Sequence, residues 1–174
     1  MDVNYPLQYW KDFSGPFPQL VFADNARGLF SLAVKVRTKN YYGHFMWLVG
    51  KDQLASQSWY FKRYSLADYS GNYLKFVHNP AWTDIQRLTL LVAINKDLDL
   101  SPWQTRYDIL GVIGELLGIK WMNRKKLCFC SERGAYLKLV DPMYALVHPD
   151  PSELNFFTKS HPLSYKVSGR YSPG

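Results

Sequence analysis

Cys130 stands where an apolar run, Leu127-Cys128-Phe129, meets the polar pair Ser131-Glu132, and a second apolar stretch, Ala135–Val140, follows. This pattern predicts a helix that opens at Cys130. A helix N-terminus carries partial positive charge and unpaired N–H groups, so a cysteine there has its thiolate favoured. Far upstream, His44 lies in the strand-like run Tyr42–Val49. A cysteine and a histidine from distant segments are the minimum set for thiol-imidazole hydrolysis. The plain alternative for Cys130 is a packed thiol, since free cysteine is among the most buried residue types. Cys128 lies further from the helix start and is assigned to packing. His78, His148 and His161 compete with His44; His78 ends a strand candidate, and the other two each precede a proline.

A thiol-imidazole pair needs a third group to orient the ring. The next strand offers Ala55-Ser56-Gln57-Ser58. Gln57 is the choice, because its amide oxygen can accept the second ring N–H. Strict alternation sends Ser56 and Ser58 to the opposite sheet face. Tyr107 is a candidate donor to an oxyanion, with Asp108 beside it as an N-cap. Ser131 belongs to the same helix start as Cys130, and Trp47 and Trp59 are candidate aromatic walls of a substrate cleft. Such a site needs no metal and no organic cofactor.

The elements that must position these groups follow from pattern. Gln19–Ala23 reads as a strand and Ala26–Val36 as a helix behind Asp24-Asn25. Tyr42–Val49, a turn at Gly50–Gln53, and Leu54–Tyr64 read as a hairpin, and Leu74–His78 as a further strand. Trp82–Asn95 has a helical period with Ile85, Leu88, Leu91 and Val92 on one face and Thr83 as cap. Tyr107–Ile119 reads as a glycine-marked apolar helix whose glycines argue for close packing. These elements make an α+β fold in one domain over residues 19–145. An irregular segment over 1–18 precedes it, and a loop-rich extension over 146–174, with room for one strand after His148, follows.

The 174 residues suffice for one real core. Aromatics reach 17% and the net charge is +7. Lys and Arg are scattered apart from Arg124-Lys125-Lys126, so the charge reads as a solvated basic surface rather than a nucleic-acid footprint. The two cysteines are two residues apart, too close to bridge easily, and are expected as free thiols. No secretory leader and no membrane-span-length apolar stretch is visible, which predicts synthesis in a cytoplasm.

The Gly-His strand, the Tyr107-Asp108-x-x-Gly111 helix start and the Phe129-Cys130-Ser131-Glu132 segment together resemble the circularly permuted papain-like hydrolases, relatives of the NlpC-type cell-wall peptidases that include the YiiX-like group. That group has the order histidine, polar residue, cysteine, which His44, Gln57 and Cys130 follow. The resemblance spans roughly residues 19–142. It implies a papain-like fold, with an antiparallel sheet packed against helices, and hydrolysis of an amide, such as one in a peptidoglycan stem peptide. Many members carry a glutamate where this chain has Gln57 and its neighbours. Compact members are encoded by bacteriophages and bacteria, which implies a virion-associated protein.

Three readings stand at this point. One is a cysteine amidase or peptidase acting on a peptide or cell-wall polymer. Another keeps the fold but shifts the chemistry to esters or thioesters, as in lipid acyl-handling relatives, which an apolar groove at Trp47 and Trp59 would favour. The third is a non-catalytic virion or assembly component that meets other virion proteins through the same fold.

Overall fold

The computed structural model describes residues 16–24, 43–106, 108, 110, 130–141 and 165–170, with the backbone course alone at 78, 130–132 and 165–170. The strands are β1 (Gln19–Ala23), β2 (His44–Gly50), β3 (Gln53–Gln57), β4 (Phe61–Ser65), β5 (Tyr73–His78) and β6 (Tyr165–Arg170). A short 3₁₀ turn, η1 (Leu66–Tyr69), follows β4. The helix α1 covers Asp84–Leu98, and a 3₁₀ segment, η2, covers Cys130–Leu139. The architecture is α+β, and the expected helices over Ala26–Val36 and Tyr107–Ile119 lie outside the described residues.

The strands form one sheet in the order β4-β3-β2-β1-β5-β6, with every neighbouring pair antiparallel. Both faces are covered. All five residues of β1 are buried, as a central strand packed on both sides requires. On one face Leu20, Phe22, Phe45, Trp47, Ala55 and Val77 pack with Leu90 and Ile94 of α1 and with Leu137 and Val140. On the other face Val21, Ala23, Met46, Leu48, Leu54, Leu74 and Phe76 pack with Leu66 and Tyr69 of η1.

Three expectations need correction. Leu54–Tyr64 is two strands, not one, and the chain reverses at Ser58-Trp59-Tyr60. There the Ser58 N–H donates to the Tyr60 carbonyl at 3.3 Å, and the Ser58 and Tyr64 hydroxyls are bonded to each other. The cap of α1 is Thr83 as expected, in a reciprocal box with Gln86. Its buried stripe, however, is Arg87, Leu90 and Ile94, while Ile85, Leu88 and Val92 are exposed. The segment opening at Cys130 is 3₁₀ rather than α-helical. The one strand expected in the loop-rich stretch is β6, and it joins the same sheet, pairing with β5 from Tyr73↔Arg170 to His78↔Tyr165.

The β2–β3 connection decides what faces what. Lys51 and Asp52 make the turn, and Asp52 takes a left-handed φ of 61°. The pairing Gly50↔Gln53 passes to Leu48↔Leu54 through a one-residue shift, a β-bulge. Beyond it Met46 lies opposite Ser56 and Trp47 opposite Ala55.

Candidate active site

His44 opens β2 opposite Ala23 and points to the η1 face. Its Nε2 lies 2.7 Å from the Ser56 hydroxyl. That hydroxyl lies 3.2 Å from the Tyr69 phenol oxygen, and the Tyr69 ring stacks on the imidazole, with 6.3 Å between centroids and 11° between planes. Since Ser56 pairs with Met46, it reaches His44 diagonally across two strands. Burial lowers the imidazole pKa from 6.5 to about 4, because the charged form would lose its hydration. His44 is therefore neutral at pH 7, and its Nδ1 makes no hydrogen bond among the described residues.

Gln57 stands on the opposite face and does not orient His44. Its Nε2 donates to the Thr105 carbonyl at 2.6 Å, and its Oε1 accepts from Arg133 Nε at 3.0 Å. The bulge is the reason. Had the register set by Gly50↔Gln53 continued unshifted, Gln57 would have met Met46 and shared the face of His44. With the shift, Ser56 takes that place.

Around Arg133 lies a second polar centre, which the sequence reading missed. Its Nη1 pairs with the Asp97 carboxylate and donates to the Tyr136 hydroxyl at 3.1 Å, and that hydroxyl donates to Asp97. The guanidinium lies over the Phe61 ring, 4.4 Å from its centroid. Burial pushes the Tyr136 phenol above its usual range, against the opposing pull of the Arg133 charge. Arg133 follows the polar pair Ser131-Glu132, so no apolar context marks it in the sequence. Nothing in the spacing identifies Asp97 as its partner.

The remaining candidates divide. Trp47 is not a cleft wall: it is fully buried, and its Nε1 donates to the Arg133 carbonyl at 2.9 Å. Trp59 is 70% exposed at the β3–β4 reversal. Asp108 is fully buried. Tyr107, Cys128, His148 and His161 lie outside the described residues, and Cys130 and Ser131 are described in backbone only, as the first residues of η2. Leu137 of η2, with Val140 just after it, covers the face of Phe45 and Trp47, whereas His44 faces the other way.

Among the described residues no cluster of three His, Cys, Asp or Glu side chains suits a metal ion, and no helix is long and apolar enough to cross a membrane. Set against protein-family models, curated proteins and solved structures, this chain finds no match.

Proposed function

We propose that the chain is a cysteine-dependent hydrolase of amide bonds, with Cys130 as nucleophile and His44 as base. The carrying observation is the hydrogen bond from Trp47 Nε1 to the Arg133 carbonyl, at 2.9 Å between residues 86 apart in the chain. It ties β2 to the opening of η2. His44 and Cys130 each lie three residues before one end of that bond. The papain-like assignment rests on the sequence resemblance, and the antiparallel sheet with α1 and η2 on one face and η1 on the other is compatible with it.

In this reading Ser56, not Gln57, holds the imidazole by Nε2, and Nδ1 takes the thiol proton. The thiolate attacks the carbonyl carbon, and backbone N–H groups at the start of η2 stabilise the oxyanion, each worth about 3–4 kcal/mol. The imidazolium then protonates the leaving amine, and water releases the acyl group. The depressed histidine pKa favours a neutral base over a standing thiolate–imidazolium pair. The thiol must meet the imidazole around the N-terminal end of β2, since η2 itself lies on the opposite face. The resemblance makes a peptidoglycan stem peptide the substrate and a virion the setting.

A second reading, a non-catalytic assembly component, is favoured by that same placement: His44 is buried and neutral, with its Nε2 on Ser56 and its ring against Tyr69 on the η1 face. Iodoacetamide labelling at pH 7 separates the two. The hydrolase requires Cys130 to react about tenfold or more faster than Cys128, and His44→Ala to remove most of that advantage. Slow, equal labelling of both thiols removes the activated nucleophile and leaves the binding reading.

A further inference from the structure

We infer that Arg133 is a positioning residue for Cys130: its guanidinium fixes the opening turn of η2 on the sheet and so sets the reactivity of the thiol one turn upstream. The inference rests on the hydrolase reading and adds a role for the Arg133 side chain, of which that reading uses only the backbone carbonyl.

The geometry is directional. Nε is committed to Gln57 on β3, and Gln57 is itself held by the Thr105 carbonyl. Nη1 is committed to Asp97 in the last turn of α1 and to Tyr136 one turn further along η2. The backbone carbonyl of the same residue receives Trp47 of β2. One residue thus joins η2 to two strands and to α1. Packing alone does not call for this. A methionine or leucine would lie against Phe61 without the cost of burying a cation, and buried ion pairs often stabilise no better than apolar substitutes. What the planar fork supplies is orientation, because its donors point in fixed directions. A 3₁₀ segment needs such external anchors more than an α-helix does, as its own hydrogen bonds have poorer geometry. Cys130 lies three residues before Arg133, one turn of η2, so a turn that slips along the sheet carries the thiol with it.

The test uses the full chain with Arg133→Met, which keeps the stem and removes the fork, and Arg133→Lys, which keeps the charge alone. The rate of Cys130 labelling by iodoacetamide is followed from pH 5 to pH 10 by peptide mass spectrometry, with Cys128 as internal reference. Hydrogen exchange of peptides from η2 and β2, with circular dichroism, monitors seating and fold. The expected result for Arg133→Met is a Cys130 rate at pH 7 lowered about tenfold, with its inflection moved up toward the ordinary thiol value of about 8.5. Exchange in η2 speeds up while β2 keeps its protection. Arg133→Lys recovers little of the rate. An unchanged Cys130 profile in Arg133→Met, even with faster exchange, overturns the inference and leaves Arg133 a packing residue. If Arg133→Met fails to fold, Asp97→Asn is read by the same criteria. Equal labelling of both thiols in the unsubstituted chain would instead overturn the hydrolase reading, and this inference with it.

Discussion

His44 keeps its imidazole uncharged at the cost of acid sensitivity. Its folded pKa of about 4 lies below the unfolded value of 6.5, so the unfolded chain binds the extra proton first. The stability that neutral burial permits is complete above pH 6.5 and is lost progressively as the pH falls toward 4. Between pH 7.5 and pH 5 the loss amounts to about 2 kcal/mol, or roughly 4–8 °C in Tm for a chain of this size. Thermal melts of the unsubstituted chain and of His44→Gln should therefore converge on acidification, with the variant losing less; parallel curves would contradict the burial argument. Ser56→Ala strips the ring of its partner and should cost about 1–3 kcal/mol in urea unfolding, as an unsatisfied buried polar group does. Alternation alone told Ser56 and Gln57 apart by face. Which of them shared a face with His44 was not legible, because a single bulge residue between Leu48 and Gly50 inverts the answer and no Gly or Pro pattern marks it uniquely.

At the scale of the element, α1 shows what periodicity can and cannot tell. Its position and its Thr83 cap were legible from the start signal. Its buried side was not, because apolar residues nearly encircle the helix in Leu88-Thr89-Leu90-Leu91-Val92-Ala93-Ile94. The sheet selects the Leu90–Ile94 stripe and accepts Arg87 within it, since that guanidinium donates to the Asn79 carbonyl at 2.8 Å and lies by the Trp82 ring. Leu90→Ala should cost about 2–5 kcal/mol in denaturant unfolding, and Leu88→Ala well under 1 kcal/mol. Equal costs would mean that the wrong stripe has been assigned to the core. The break between β3 and β4 was illegible for a different reason. Ser58-Trp59-Tyr60 contains no glycine, proline or asparagine, so alternation reads straight through a reversal that side-chain hydroxyls hold.

The whole molecule closes its sheet with a strand from the far end of the chain. β1 pairs with β2 on one side and β5 on the other, and β6 then covers β5 along six residue pairs. Local pattern identified β1, β2 and β5 almost to the residue. It could not show that residues 165–170 belong with them, because such a contact bridges about half of the sequence and its partner leaves no local trace. Ending the chain at residue 164 should remove a ladder whose hydrogen bonds contribute about 0.5–1.5 kcal/mol each, a total of several kcal/mol and roughly 5–10 °C in Tm. A truncated chain that melts where the full chain does would place β6 outside the cooperative unit.

At the other border of the sheet, β4 carries Lys62 and Arg63 side by side. The Lys62 ammonium lies near the Tyr60 and Tyr64 rings, at 5.3 and 4.6 Å from their centroids, and Arg63 donates to Asn95 at 2.7 Å. Both cations are thus held close to the outermost strand. Two copies approaching rung to rung along β4 would bring four positive charges together, a contact that neither copy can relieve by swinging its side chains away. Growth of a ribbon through this border is thereby discouraged, so concentrated solutions of the protein at low salt should resist fibre formation. Neutralising Lys62 and Arg63 to glutamine is the change that would lift that restraint, and light scattering would register the resulting self-association.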